Sequence, residues 1–309
     1  MIFHYLKIAF RNLYKHKTQN IISIIGLAVG LLCFCVCIYC SRFVESTDHC
    51  FTNHDRIAEL NLYDGKTDRY FSGSPVPLAE DLRTWSLGET EAISSVTYPR
   101  ERPYYVELSP EKMLPYELET IEIDTCYNKI FTPEMVAGHW KMASQSLNSV
   151  ILSQSMAIKI FGNAESAIGK HMTLMRRLNT SPESTPKTGG IVYTIQAVMK
   201  DIPLNNSLDF MQNIDMLTVN DSEGLLQSSK RHNMTGANTY VLLSPQTTCT
   251  DLEKQFLKRD YTYTLYGEAY TVTASSMGAR LKKQGASYLG LVTGTVGTLI
   301  LLVGLINFF

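Results

Sequence analysis

Residues 149–170 read Ser149-Val150-Ile151-Leu152-Ser153-Gln154-Ser155-Met156-Ala157-Ile158-Lys159-Ile160-Phe161-Gly162-Asn163-Ala164-Glu165-Ser166-Ala167-Ile168-Gly169-Lys170. The run follows one physical plan. A short apolar strand ends at Ser153, whose hydroxyl can accept a hydrogen bond from the first turn of a helix. Met156, Ala157, Ile160 and Phe161 then fall on one helical face. Gly162 supplies a left-handed stop, and Gly169 permits a second tight turn before a strand at 172–174.

Working outward, 177–190 is rich in Ser, Thr, Pro and Gly and is expected to be an exposed loop. Beyond it Ile191–Met199 reads as a strong strand that continues through Lys200, Asp201 and Ile202 to a turn at Pro203. Upstream, 93–98, 104–108 and 119–125 read as strands, the last alternating Ile121 and Ile123 with Glu122 and Asp124. A helix is expected to start near Pro77, because proline is tolerated in a first turn and Leu78, Leu82 and Trp85 follow at helical spacing. Tyr240 to Leu243 reads as a strand and 252–257 as a helix. Residues 42–285 are therefore expected to form one external region of mixed helix and strand.

Two apolar runs flank that region. Residues 20–41 contain no Asp, Glu, Lys or Arg, and neither do 286–309. At ~1.5 Å per residue, either run covers a ~30 Å hydrocarbon core. The first is too long for a signal-peptide core and lacks a small-residue cleavage site, since Ile38 and Tyr39 precede Cys40. Both are expected to be membrane helices. Lys7, Arg11, Lys15 and Lys17 precede the first, whereas Arg42, Glu45 and Asp48 follow it. Basic residues stay on the cytoplasmic side, so the N-terminus is expected inside and the middle outside. Arg280, Lys282 and Lys283 oppose that assignment, but the first helix usually dominates. Within 1–19, Lys7, Arg11 and Lys15 form a basic stripe opposite Phe3, Leu6, Phe10 and Leu13, as in a helix lying in the membrane interface. The second run carries Gly290 and Gly294, spaced for close helix packing in lipid.

The chain of 309 residues has a formal net charge of -1, which gives no electrostatic reason to expect nucleic acid. Seven cysteines do not form a disulfide framework: four lie in the first apolar run, and Cys50, Cys126 and Cys249 cannot all pair among themselves. Motifs for chemistry are scarce. Residues 164–171 have the outline of a phosphate loop, but Ala164 stands at the first glycine and His171 at the Mg²⁺-binding hydroxyl. Asp48, His49, Cys50, His54 and Asp55 bunch beyond the first run, yet the loose spacing fits a polar membrane-exit segment better than a metal site. No hydrolase elbow or zincin motif occurs. The chain is therefore expected not to be an enzyme and to need no cofactor or metal.

Taken together, Ser153 and Ala157, then Phe161-Gly162 and Ile168-Gly169-Lys170, then Asp201-Ile202-Pro203 resemble the MacB-like periplasmic core domain of ABC-transporter permeases of the MacB/FtsX/Lol type. The opening 5–30 and the segment Asp48, Phe51, Arg56 and Ile57 fit the same pattern. Ala197 replaces a usual glycine and Leu208 a common histidine. The resemblance implies an α+β periplasmic domain, with an α/β lower part and a β-rich upper part, flanked by two transmembrane helices. Such permeases carry four membrane helices per unit, so 286–309 corresponds to the second.

The resemblance further implies an inner-membrane location and a cytoplasmic ATP-binding subunit as partner. A second permease in a homodimer or heterodimer, and a periplasmic adaptor or outer-membrane component, are also implied. ATP hydrolysis by the partner would move the periplasmic domain for export, efflux or lipoprotein handling. Lys7, Arg11 and Lys15 are candidates for the cytoplasmic coupling surface. A two-pass sensory receptor shares this topology and is the competing reading; a tethered enzyme is a third, without a motif to support it.

Overall fold

In the computed structural model the described residues are 17–71, 73–85, 87–109, 112–146, 148–174, 190–208, 213–220, 237–265, 267–277, 279, 292, 294–299 and 302. They fall into two compact units: the chain ends (Met1–Thr47 with Gly278–Phe309) and the middle, Asp48–Met277. Lys7, Arg11, Lys15 and Gly290 lie outside the described residues.

The first unit contains helix α1 (Lys17–Glu45). Its stretch Ile24–Glu45 has a mean hydropathy of 2.5 and is long enough to cross a membrane. Only 6% of that window is buried, and Ile25, Leu32, Val36 and Tyr39 are all more than half exposed. A core helix of a soluble domain would hide those side chains. One stripe is more covered: Leu27, Gly30, Cys33, Phe34, Cys37, Ser41 and Val44, at steps of three, four and seven. Residues 294–299 are helical, and a Cβ added at Gly297 would fall 3.0 Å from Cys37 Cβ and 3.4 Å from Phe34 Cα. A Cβ at Gly294 would meet nothing within 4 Å. Among the described residues of this segment, the close approach to α1 is at Gly297.

The second unit is built on one continuous hydrogen-bonded sheet. Its strands are β1 (Ile57–Asp64), β2 (Arg69–Phe71), β3 (Thr90–Thr97), β4 (Arg100–Ser109), β5 (Lys112–Ile123) and β6 (Met135–Gly138). They continue as β7 (Ser149–Ser153), β8 (His171–Leu174), β9 (Ile191–Met199), β10 (Met216–Val219), β11 (Ala237–Leu243), β12 (Thr262–Leu265) and β13 (Glu268–Ser276). Part of the sheet closes on itself: β5 pairs β4, then β8, β9, β7 and β10 follow, and β10 pairs β5 again. The rest is open, running from β5 through β3, β11, β1 and β13 to β12. Most ladders are antiparallel; β7–β9 and β10–β5 are parallel. Of those strands β7 and β10 are buried along their whole length, and their mainly apolar sequences, Val150-Ile151-Leu152 and Met216-Leu217-Thr218-Val219, follow from that.

Alternation distributes the side chains among three clusters. Tyr104, Leu118, Val150, Leu152, Met172, Ile195 and Met216 come from all six strands of the closed part and form one. Helix α5 (Gln154–Phe161) adds Met156, Ala157 and Ile160 to it. Opposite faces of the same strands supply Ile121, Ile123, Ile151, Ala197, Met199 and Leu217 to a second cluster, completed by Phe51, Tyr127 and Phe131. Tyr127 and Phe131 lie on the short helix α3 (Tyr127–Phe131); the equally short α4 (Trp140–Gln145) lays Ala143 into the same cluster. A third cluster covers the far face of the open sheet, where Leu60, Leu62 and Val241 meet Leu78 and Leu82 of α2 (Val76–Thr84) and Leu252 and Phe256 of α6 (Cys249–Lys258). Burying each such side chain contributes roughly 1.5–3 kcal/mol.

Among the described residues the expected strands and helices of 74–257 recur, most with shifted ends, whereas residues 1–16 of the expected N-terminal helix, 177–189 of the expected loop and most of 286–309 lie outside them. Helix α2 stops at Thr84, leaving Trp85 as its cap rather than a third helical contact. Strand β5 ends at Ile123 because Asp124 turns inward to an ion pair with Arg83. Both departures from the family pattern are buried: Ala197 is 0% and Leu208 4% exposed, each in the second cluster.

Candidate functional site: the anchored entry to the external domain

The external domain begins at Asp48, three residues past the end of α1. Asp48 is 4% exposed and has φ 70, a left-handed conformation that aspartate and asparagine adopt more readily than most side chains but less readily than glycine. Hydrogen bonds hold it there. Its N–H donates to Asn205 O at 3.0 Å, and its Oδ1 accepts from Ser207 N–H at 2.6 Å. The loop it grips is itself braced: Asn206 Nδ2 donates to Pro203 O at 2.6 Å, and Leu208 N–H to Asn206 Oδ1 at 2.9 Å.

The next residues lock onto α3 and the open sheet. Phe51 meets the Phe131 ring edge to face at 5.3 Å, Asn53 Nδ2 donates to Lys129 O at 3.3 Å, and Thr132 Oγ1 to Thr52 Oγ1 at 3.0 Å. Arg56 reaches Glu91 Oε1 at 2.8 Å and Leu243 O at 2.9 Å. Ile57 opens β1 inside the second cluster. The other end of the domain is secured beside it, because Met277 N–H donates to Ile57 O at 2.9 Å and Met277 packs on the same cluster.

The motif residues form a second layer of this anchor. Ser153 caps α5, its Oγ accepting from Met156 N–H at 3.3 Å. Asp201 Oδ1 accepts from Ser155 N–H at 3.1 Å and Ser155 Oγ at 3.0 Å. Two amides of the first helical turn, which lack partners inside the helix, are thereby satisfied, one locally and one across the sheet. Ala157 is fully buried, Phe161 packs beside it, and Gly162 ends the helix at φ 85 with its N–H on Ile158 O. Ile168 also packs on the closed-sheet cluster. Gly169 turns at φ 79, its N–H donating to Ile195 O at 2.8 Å, and Lys170 O accepts from Ile195 N–H at 2.9 Å. Ile202 lies against the second cluster, and Pro203 starts the loop that grips Asp48. The outline of a phosphate loop at 164–171 is thus a turn whose N–H groups of 167–170 are spent on backbone carbonyls.

The structure separates the polar bunch at 48–55. Asp48 points into the domain, while the His49 and His54 rings lie 4.5 Å apart at a tilt of 45°. Both His54 nitrogens are engaged, Nδ1 with Phe51 O at 3.1 Å and Nε2 with Asp55 Oδ1 at 3.2 Å. Among the described residues no three His, Cys, Asp or Glu side chains gather as a metal site. The Cys50 thiol is pushed up to about 11 by desolvation and then by the Asp48 carboxylate, so it stays a protonated thiol at neutral pH. Sequence reasoning missed Asn205 and Ser207, whose only signal was the polar Asn205-Asn206-Ser207 run after a proline.

No protein-family profile and no curated relative matches the sequence. Solved structures do match. A domain of a protein assigned as a permease from Porphyromonas gingivalis aligns at 21% identity with a TM-score of 0.54, covering 74% of this chain and 93% of that one. The periplasmic region of MacB from Actinobacillus actinomycetemcomitans aligns at 14% identity and TM-score 0.49, covering 78% and 96%. The extracellular domain of the noncanonic ABC-type transporter YknZ from Gram-positive bacteria aligns at 13% and 0.41, covering 71% and 99%. With the strand–cap–helix–turn motif placed as described, the second unit of this chain has the fold of that Porphyromonas gingivalis permease domain.

Proposed function

We propose that this chain is the membrane permease part of an ABC transporter, in which a cytoplasmic partner ATPase moves the external domain through the membrane helices. The observation that carries the reading is the double anchor. Asp48 and Phe51 at the start of the domain, and Met277 at its end, are fixed to a single core cluster and its adjoining loop. A ligand-binding module on a tether needs no such grip; a domain that must follow helix displacement does. In this reading the chain performs no catalysis of its own. α1 and the apolar run 286–309 both cross the inner membrane, and Lys7, Arg11 and Lys15 face the ATPase on the cytoplasmic side. A second permease subunit completes the assembly, and a periplasmic adaptor or outer-membrane component receives the motion.

The test is purification of the native gene product from its own membranes in mild detergent. An ATP-binding subunit should copurify, and its ATPase rate should change when the permease is reconstituted in lipid. Copurification of a kinase or methyl-accepting module, without an ATPase, would replace this reading by the receptor.

A further inference from the structure

We propose that Asp48 is a latch: it couples the entry of the external domain, through residues 200–208, to the N-terminus of α5 and so to the closed part of the sheet. The inference rests on the permease reading for its purpose, but the coupling itself is a property of this chain.

The relay is continuous. Asp48 grips Asn205 O and Ser207 N–H. Asn206 ties that stretch to Pro203 O. Ile202, next in the chain, is wedged against the second cluster, as is Leu208 on the other side. Asp201 then holds Ser155 by N–H and hydroxyl together. Helix α5 carries Met156, Ala157 and Ile160 into the cluster of the closed sheet. One short loop thus has its apolar residues in one core and its carboxylate on the helix of another. Lys200 pins the start of the loop, its N–H on Glu134 O at 2.8 Å and its Nζ near Glu134 Oε2 at 2.9 Å.

Asp48 suits a latch better than a fixed weld. Its φ of 70 is held against an intrinsic preference for right-handed backbone, and the Ser207 bond is what opposes release. Loss of that bond frees the backbone to relax and lets go of the loop at the same moment. Two discrete arrangements of one packed element are the physical requirement for passing a displacement onward.

Hydrogen exchange on the full chain in lipid nanodiscs tests this. Asp48→Ala and Asp48→Gly both remove the acceptor, and the glycine also removes the backbone strain. Each should raise exchange about tenfold or more in peptides covering Ser207 and Leu208, and several-fold in peptides covering Ser155 and Met156. Strand β12 and helix α6, which belong to the open part of the sheet, should be unchanged. Asp48→Asn keeps an acceptor and tolerates the conformation, so it should stay near wild type. Coupling is reciprocal, so Asp201→Ala and Ser155→Ala should raise exchange at Ser207. An effect confined to 205–208 overturns the proposal. Should Asp48→Ala unfold the whole domain, the reverse arm decides, and no change at Ser207 in Asp201→Ala overturns it equally. These measurements contain no ATPase. Coupling seen without a copurifying ATPase would therefore sink only the permease reading, and a copurifying ATPase without coupling only the latch.

Discussion

The Arg83 guanidinium pairs with the Asp124 carboxylate in the interior of the external domain, where the Asp124 side chain is 2% exposed. Arg83 also donates to Ile93 O at 3.0 and 2.8 Å, and Asp124 accepts from Ser94 Oγ, Ser95 N–H and Cys126 N–H at 2.8 to 2.9 Å. Every charge is thus hydrogen-bonded as well as paired, the condition under which a buried pair is tolerated. Arg83→Met strands the carboxylate and should cost about 2–4 kcal/mol. Glu80→Gln removes the more exposed partner of the same arginine and should cost under about 1 kcal/mol. All three core clusters lie within Asp48–Met277. Urea unfolding of that unit expressed alone, with a single cooperative transition, is therefore the expected assay. Equal effects of the two substitutions would refute the assignment.

Two aspartates should give opposite pH dependences. Asp251 belongs to a capping box with Thr248, and its carboxyl is lowered to about 2, first by the Thr248 hydroxyl and then by Lys254. An unfolded Asp titrates near ~3.9. The contribution of Asp251 is complete above that value and lost as pH falls through about 2. Asp215 is raised, chiefly by desolvation, although its Oδ2 accepts from Glu119 N–H at 2.9 Å. Its contribution is greatest below ~3.9 and is lost as pH rises through the raised value. Asp251→Asn should therefore be less stable than wild type at pH 7, with the gap closing in acid. Asp215→Asn keeps the acceptor and should equal or exceed wild type at pH 7, its advantage vanishing near pH ~4. Unfolding free energies across pH decide both.

What could be read beforehand was local. The strand β7, the Ser153 cap, the apolar face of α5 and the Gly162 stop are written within a few residues of one another, and the structure has them in those places. So are β9 and the core of α6, whose periodicity spans several turns or pleats. Missed elements failed for identifiable reasons. Helix α3 has five residues, too few to show a period. Strand β13 alternates Tyr270, Val272 and Ala274 with Thr271, Thr273 and Ser275, a strand pattern that was legible and went unread. Closure of the sheet rests on four β10 residues lying parallel to β5, a pairing across nearly a hundred positions that leaves no local mark. The anchor was half legible. Ser153, Asp201 and Pro203 stood out as a pattern, but that Asp201 holds Ser155, and that Asp48 turns inward away from His49 and His54, are consequences of tertiary packing.

The bounds of α5 give a graded test of that pattern. Ser153→Ala removes a cap and should cost about 1 kcal/mol. Gly162→Ala meets open space but keeps φ 85, so its cost is the left-handed penalty alone, about 1–2 kcal/mol. Gly162→Asn should recover much of that loss, because asparagine tolerates this conformation. If alanine and asparagine were equally harmful at 162, space rather than backbone angle would be the constraint.

In the first unit, the spacing of apolar residues does not say which glycine meets α1, but the geometry does. A Cβ at Gly297 would lie 3.0 Å from Cys37 Cβ and 3.1 Å from its Sγ, whereas Gly294 faces open space. Disulfides span Cβ atoms roughly 3.5–4.5 Å apart, a gap that a few tenths of an ångström of helix movement opens here. Gly297→Cys should therefore form an intrachain disulfide with Cys37 when membranes are treated with a mild oxidant. Gly294→Cys should not. Replacing Cys33, Cys35 and Cys40 by alanine leaves Cys37 as the one thiol of α1, and mass spectrometry of the cross-linked peptide identifies the bond. Gly297→Leu should separate the two segments by several ångströms without touching the external domain, whose cores lie wholly in the other unit. A bond from position 294 instead of 297 would mean that the second apolar segment is rotated by about 60° from the arrangement described, three residues being short of one full turn.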